Sequence, residues 1–221
     1  MMAKKTEEID YFYSIHGYSA LTKGFYKKSL SSLNSISDSK NYAQLKNYLL
    51  ASVYLNQKKY EKSVVHYERW LSKDKDSNEV IRKAVLRNLG LSYIHLKKYD
   101  VAKDYFNKEL TLIKKTDTAS MISAKMDLAN VYYNQYLDND AIPLFLESYN
   151  LAKSFSDVEL KQNSSLNMAV VERNRKGYKE SVEYYREFIK WKDSIWNRDR
   201  IIELADKDKE IVVAQDRKSV V

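Results

Sequence analysis

The stretch Leu89–Phe106, LGLSYIHLKKYDVAKDYF, decides the fold. It has the pattern of one helix ending, a short polar turn and a second helix beginning. Gly90 and Ala102 are small, whereas Tyr93 and Phe106 are large. Small residues let two helices approach closely, and large residues fill the space beside them. The stretch therefore predicts a hairpin of two packed helices.

The same spacing recurs along the chain. The small residue of the first helix returns at intervals of 34, 39, 39 and 40 residues, as Gly17, Ala51, Gly90, Ala129 and Ala169. Twelve residues later stands a second small residue, namely Ser29, Ser63, Ala102, Ala141 and Ser181. Sixteen residues later stands a large one, namely Leu33, Tyr67, Phe106, Phe145 and Tyr185. A fixed period of this size is typical of a repeat architecture.

This pattern resembles the tetratricopeptide repeat family. The family motif places a small residue at repeat position 8, Tyr at 11 and 17, Ala or Ser at 20 and an aromatic at 24. The resemblance covers roughly residues 8–194 and implies an all-α, right-handed α-solenoid of five helix–turn–helix repeats plus a C-terminal helix. Position 11 is Ala20 in the first repeat and Glu172 in the last, so both end repeats are degenerate, as terminal repeats facing solvent should be.

The boundaries follow from periodicity and from turn residues. We predict a repeat array over 1–194, with repeats near 9–36, 41–73, 78–113, 119–154 and 158–193. Residues 195–221 are predicted to form a C-terminal helix, with a partial apolar stripe that fits either a cap on the last repeat or the start of a coiled coil. Residues 1–7 are polar and are expected to fray.

Single residues predict several helix ends. Gly24 marks the first turn, and Gly177 is suited to the left-handed conformation that often ends a helix. Asp38 or Ser39, and later Asp117 or Thr118, are predicted N-caps because their side chains can accept hydrogen bonds from free helix N–H groups. Pro143 is expected in the opening turn of its helix, where its missing N–H costs nothing.

Composition narrows the class of protein. The net charge is +8, but lysines are spread over the predicted turns and no nucleic-acid-binding motif accompanies them, so nucleic acid is an unfavoured partner. The chain has no Cys and no long apolar run, so we expect no disulfide and no membrane span. The start lacks an apolar signal core, which favours the cytoplasm; the periplasm is the alternative if a signal segment has been removed.

No catalytic, metal or cofactor site is predicted. His16, His66 and His95 have no partner at metal-ligand spacing. Four scattered Gly cannot form a phosphate-binding loop. The segment from Asp74 resembles the start of a calcium loop, but it lacks the glycine and the glutamate that such a loop requires. We therefore predict a protein that is not an enzyme.

The family resemblance implies a ligand groove. In such arrays positions 2, 5, 9, 12 and 13 of each first helix face a concave groove, and the predicted groove residues here are Asn56, Arg87, His95, Asn130, Tyr133, Asn134, Arg173 and Asn174. A column of Asn can pair with the backbone of an extended peptide; the alternative is that each Asn bonds its own helix end. The Lys that chaperone-binding members use at position 5 is Ser14 here, so that function is not implied.

Two functions fit the sequence. The first is a non-enzymatic scaffold that binds a protein or peptide segment in the groove. The second is a sensor or regulatory module of a bacterial two-component signalling protein. The abundant Lys, Asn and Tyr, the long repeats and the charged segment after Lys192 look like the arrays that precede sensor kinases. In that case the C-terminal helix would act as a relay or would form a homodimer.

Overall fold

The chain is all-α, as predicted. The computed structural model describes residues 2–37, 42–73 and 78–219, and these contain helices but no strand. The helices are α1 (Met2–Thr22), α2 (Tyr26–Asn34), α3 (Ala43–Asn56), α4 (Tyr60–Ser72), α5 (Glu79–His95), α6 (Tyr99–Leu112), α7 (Thr118–Asn134), α8 (Asp138–Ser154), α9 (Val158–Asn174) and α10 (Tyr178–Ser219).

Consecutive helices form antiparallel hairpins. In the first hairpin the Ser29 hydroxyl donates to the Gly17 carbonyl at 2.7 Å, and the Ser37 N–H donates to the Asp10 carboxylate at 2.7 Å. Ser29 thus pairs with Gly17, and the later Ser37 pairs with the earlier Asp10. The two segments of the hairpin therefore run in opposite directions. The same pairing joins α3 to α4, α5 to α6 and α9 to α10.

A serine at position 20 ties the two helices of a hairpin together. Its hydroxyl donates to the carbonyl at position 8 in three repeats, as Ser29 to Gly17, Ser63 to Ala51 and Ser181 to Ala169, at 2.7, 3.0 and 2.8 Å. The bond can form only because the residue at position 8 is small and lets the helices approach. Where position 20 is Ala102, the close approach is instead filled by the ring of Phe106 against Gly90.

Each hairpin turns through a residue in the left-handed conformation, always at position 15. These residues are Gly24, Lys58, Lys97, Tyr136 and Lys176, with φ between 58° and 74°. In the third repeat the Lys97 N–H donates to the Ile94 carbonyl and the Lys98 N–H donates to the Tyr93 carbonyl, which is the Schellman arrangement.

The turn prediction was right for Gly24 and wrong for Gly177. The left-handed residue of the fifth hairpin is Lys176, with φ 66°, one residue earlier than predicted. The reason is the repeat register, because position 15 is counted from Ala169 and falls on Lys176. The Gly177 N–H instead donates to the Glu172 carbonyl and completes the helix end.

The cap prediction for α7 is confirmed, since the Asp117 carboxylate accepts from the Ser120 N–H at 3.2 Å. Two further caps are Asn78, which accepts from Val80, and Asp157, which accepts from Glu159 and Leu160. The predicted caps Asp38 and Ser39 lie outside the described residues.

Three predicted boundaries differ from the structure. Residues 2–7 belong to α1, so the first helix begins earlier than predicted. Pro143 is the sixth residue of α8 and so lies beyond the opening turn. It lacks the backbone N–H that would otherwise donate to the Asn139 carbonyl. The predicted helix at 195–221 is not separate, because α10 runs unbroken from Tyr178 to Ser219 through a stretch without Gly or Pro.

The chain forms two compact units. Unit 1 comprises α1–α6 and residues 130–136 at the end of α7; unit 2 comprises residues 115–129 and α8–α10. A core cluster of unit 1 contains Leu33, Ile36, Leu49, Leu50 and Val53, and one of unit 2 contains Ile122, Met126 and Ala152. Within unit 1, α3 packs against both α1 and α5, so successive first helices lie side by side.

Gly90→Ala tests the close approach of α5 and α6. Alanine is the better helix former by about 1 kcal/mol, but a Cβ at residue 90 would lie 2.6 Å from ring atoms of the buried Phe106. We expect the clash to dominate and to lower the free energy of unfolding by roughly 1–3 kcal/mol, measured by urea denaturation. In a Phe106→Leu background the same change should be neutral or stabilising; equal effects in both backgrounds would contradict the clash.

Lys97→Gly tests the strain of the left-handed turns. Lys97 is exposed and has φ 58°, a conformation that glycine adopts without steric cost. We expect the substitution to raise the free energy of unfolding by about 1 kcal/mol, again by urea denaturation. Lys97→Ala is the control, since it removes the same side chain but keeps the Cβ. If alanine and glycine have the same effect, backbone strain at this turn is not the cause.

Candidate ligand-binding faces

The first candidate lies on unit 1. We call the solvent-facing side of α1, α3 and α5 the first-helix face; it carries Tyr11, Tyr18, Leu45, Arg87 and His95. Tyr11 and Tyr18 are 59% and 56% exposed, and Leu45 is also exposed. Both tyrosines lie on α1 and Leu45 lies on α3. Exposed aromatic and apolar side chains are typical of protein-binding surfaces.

A chain of hydrogen bonds supports this face from below. The Asn88 amide donates to the Tyr67 hydroxyl at 2.9 Å, Tyr67 and Ser52 share a bond of 3.0 Å, and Ser52 donates to the Tyr48 carbonyl at 3.0 Å. These bonds join α3, α4 and α5. The Tyr48 ring meets Tyr67 edge-to-face with ring centroids 6.2 Å apart. The polar groups beneath the face are therefore paired and held in place.

Burial changes the acidity of these tyrosines. It raises the pKa of Tyr67 to about 12, because the tyrosinate would lose its water; the bonds from Ser52 and Asn88 oppose the shift only in part. Burial also raises the pKa of Tyr48, and the neighbouring Tyr18 raises it further. Tyr18 on α1 and Tyr48 on α3 thus lie close enough to interact across the two helices.

Two of the three asparagines of the predicted ladder, Asn56 and Asn134, bond their own helices. The side-chain amide of Asn56 donates to the Ser52 carbonyl at 2.8 Å, and that of Asn134 donates to the Asn130 carbonyl at 2.7 Å. Each bond occupies one of two amide N–H groups, and both side chains remain exposed. Back-bonding at the helix end is therefore present, and the peptide ladder stays a prediction.

The other predicted residues fall in different places. His95 is exposed and stacks on Tyr60 with ring centroids 4.2 Å apart, and Arg87 is half-buried on α5. Asn130 and Tyr133 are half-buried on the part of α7 that belongs to unit 1. Six of the eight predicted residues thus belong to unit 1. The other two, Arg173 and Asn174, lie exposed on α9 in unit 2, where Arg173 approaches the Tyr185 hydroxyl at 3.5 Å.

Sequence reasoning missed a cavity in unit 2. It has a volume of about 260 Å³ and lies between α8, α9 and α10, lined by Tyr149, Lys153, Lys161, Ser164, Ser165, Glu187, Lys190 and Trp191. We call it the α8–α10 cavity. The available signal was the pair Ser164–Ser165 at positions 3 and 4, which in the third repeat are the larger Val85 and Leu86. Two small residues at that point leave room that an aliphatic pair would fill.

The chemistry of this cavity is mixed. The Glu187 carboxylate accepts from the Tyr149 hydroxyl at 2.8 Å and lies 3.4 Å from the Ser165 hydroxyl. Burial, and then the contact with Glu187, raise the pKa of Tyr149. The ammonium groups of Lys161 and Lys190 each lie 4.8 Å from the centre of the Trp191 ring. The rim of the cavity is thus cationic through Lys161 and Lys190. The Glu187 carboxylate inside it already accepts hydrogen bonds from Tyr149 and Ser165.

A metal centre requires several ligand side chains that converge on one point. Among the residues that the structure describes, no cluster of three or more His, Asp or Glu is arranged to hold a metal ion. In the same residues no helix is both long and apolar enough to cross a bilayer.

Known proteins resemble the chain in sequence. The model of the tetratricopeptide repeat family matches residues 47–75 and 85–116, which contain most of the second and third hairpins. The type IV pilus assembly protein PilF of Pseudomonas aeruginosa is 33% identical over 110 residues, covering 50% of this chain and 38% of PilF. The chain therefore matches less than half the length of that relative.

Solved structures resemble the chain in fold. The structure of Pseudomonas aeruginosa PilF gives a TM-score of 0.63 at 18% identity, over 85% of this chain and 78% of that one. MamA from Desulfovibrio magneticus RS-1, residues 41 to the end, gives 0.64 at 12% identity, over 84% and 96%. At such identities the likeness establishes the repeat fold, and it agrees with the sequence pattern of five small-residue anchors.

Tyr67→Phe tests the buried tyrosine. Its pKa of about 12 in the folded chain lies above the ordinary value of about 10. The unfolded chain therefore loses this proton first, and stability falls as pH rises from about 10 to 12, by about 1.4 kcal/mol per pH unit from this residue. We expect Tyr67→Phe to reduce that slope in urea denaturation at alkaline pH. Ser52→Ala, which keeps the titrating hydroxyl, should retain the slope; an unchanged slope in Tyr67→Phe would contradict the assignment.

Proposed function

We propose that this chain, which belongs to the tetratricopeptide repeat family, is a non-enzymatic scaffold that binds a protein or peptide segment on the first-helix face of unit 1. Proteins of this repeat class are interaction scaffolds, and the sequence relative named above is a pilus assembly protein. The observation that carries the proposal is the exposure of Tyr11 and Tyr18 on α1, beside the paired polar network under α3 and α5.

The binding mode follows from the chemistry of the face. Tyr11, Tyr18 and Leu45 supply rigid apolar surface, which is where most of the binding free energy of protein interfaces arises. Asn56 and Asn134 each retain a carbonyl oxygen and a second N–H with which to meet the backbone of an extended ligand. We assign to Arg87 the role of pairing with an acidic side chain of the ligand. Asn130, Tyr133 and His95 complete the set on unit 1.

The residues of unit 2 form a separate part of the proposal. Arg173 and Asn174 sit at the end of α9 and offer a guanidinium and an amide to a ligand segment. We assign them the same role on their own unit. The compartment is proposed to be the cytoplasm, or the periplasm if a signal segment has been removed.

Peptides selected from a random displayed library against the whole chain would test this function. For a selected peptide we expect Tyr18→Ala to weaken binding about tenfold or more, measured by calorimetry, because it removes an exposed aromatic anchor. Asn134→Ala should cost less, since one of its N–H groups is already bonded to its helix. Circular dichroism should be unchanged for both variants.

The matched control is Tyr178→Ala, which removes an equally exposed ring on α10 of unit 2. It should leave the peptide affinity at the wild-type value. Equal losses for Tyr18→Ala and Tyr178→Ala, or hydrogen-exchange protection confined to unit 2, would contradict binding on the first-helix face.

A regulatory module is the second candidate, and the observation that favours it is α10. This helix continues without interruption from the last repeat, Tyr178, to Ser219, so it can transmit a displacement along its axis. The role proposed is that of a relay or dimerisation element in a signalling protein. Deletion of residues 195–221 should then convert a dimer into a monomer in sedimentation analysis; an unchanged mass would argue against it.

A further inference from the structure

The first helix of the array exposes an aromatic residue at a position that later repeats bury. Position 3 is Val85 in the third repeat, Ala124 in the fourth and Ser164 in the fifth, with exposures of 0%, 0% and 2%. Phe12 occupies the same position in α1 and is 62% exposed. In the third and fifth repeats the preceding second helix packs against the first helix, as α4 does on α5 and α8 on α9.

The second helix of the fifth hairpin, α10, exposes apolar residues at positions that are buried in earlier repeats. Position 28 is Tyr149 in α8, where it is 7% exposed against the following hairpin; in α10 it is Ile189, which is 53% exposed. Val182 at position 21 is likewise exposed, whereas its counterpart Val64 is buried. Trp196 follows Ile189 by seven residues and is also exposed, so Val182, Ile189 and Trp196 form one stripe along α10.

The contacts between successive hairpins fix how two such faces would meet. Lys46, at position 3 of α3, donates its ammonium to the carbonyl of Ile36, at position 27 of the hairpin before it, at 2.8 Å. In unit 2, Tyr149 at position 28 lines the same cavity as Ser164 at position 3. Positions 27 and 28 of one hairpin therefore lie beside position 3 of the next. If a second copy packed on the first in the same way, Ile189 at position 28 of one copy would lie against Phe12 at position 3 of the other.

We propose that the exposed stripe of α10 binds the exposed side of α1, carrying Ile9 and Phe12, of a second copy of this chain. The contact continues the hairpin-to-hairpin packing from one molecule into the next. It is heterologous, because two different surfaces meet, so each dimer retains one unused surface of each kind and can add further copies. Pairing of α10 with α10 would instead be isologous and would stop at the dimer.

The test uses two variants of the whole chain, Phe12→Glu and Ile189→Glu. Both residues are exposed in one copy, so the introduced carboxylate should destabilise the contact between copies and not the fold of a single copy. Sedimentation velocity over a wide concentration range should show assemblies larger than a dimer for the wild type and about tenfold weaker association for each variant. Val65→Glu, at an exposed position in the middle of the array, is the matched control and should behave as the wild type.

Mixing the two variants makes the test specific. The Phe12→Glu chain keeps an intact α10 stripe, and the Ile189→Glu chain keeps an intact α1 surface. Their mixture should form a one-to-one heterodimer that grows no further, although each variant alone associates about tenfold more weakly than the wild type. A wild type that stays monomeric at high concentration overturns the proposal. Coverage of the α1 and α10 surfaces by a neighbouring segment of a longer protein would give that monomeric result. Continued association of Phe12→Glu alone, with loss only in Ile189→Glu, would also overturn it and would indicate α10-to-α10 pairing.

Discussion

The structure depends on the close approach of two helices at position 8. A glycine or alanine there admits either the hydroxyl of a position-20 serine or the ring of a position-24 aromatic, as Ser63 does at Ala51 and Phe106 does at Gly90. The approach sets the distance between the helices of a hairpin and so sets which side chains reach the next hairpin. The buried Tyr67, with its partners on α3 and α5, follows from this spacing.

The hairpins were predictable because their signal is both local and repeated. Small and large residues at fixed offsets recur five times, so the helix pairs could be derived from the sequence. The Asp117 cap followed from a residue type that accepts from free helix N–H groups. The errors arose where a single residue was interpreted outside the repeat register. Gly177 seemed the natural left-handed residue, yet the register assigns that conformation to Lys176.

Features that depend on several hairpins at once were not predictable in the same way. The α8–α10 cavity requires Tyr149, Ser164 and Trp191 to meet from three helices, and no short window of sequence contains them. For the asparagine column the sequence allowed two alternatives, and in the structure Asn56 and Asn134 bond their own helices. The unbroken course of α10 from the last repeat into residues 195–219 could not be derived either, since charged residues suit a solvated helix and a linker equally well.

The left-handed turns have a consequence for the order of folding. Four of the five position-15 residues are Lys or Tyr, which rarely adopt positive φ in an unfolded chain, so these turns do not form in advance of the helices. A glycine-rich turn could act as an early nucleus, whereas these must wait until the helix ends supply carbonyl acceptors. The transition state should therefore be structured around Ala51–Ser63 and Gly90–Phe106, with the turn residues reaching their native dihedral angles only late on the pathway.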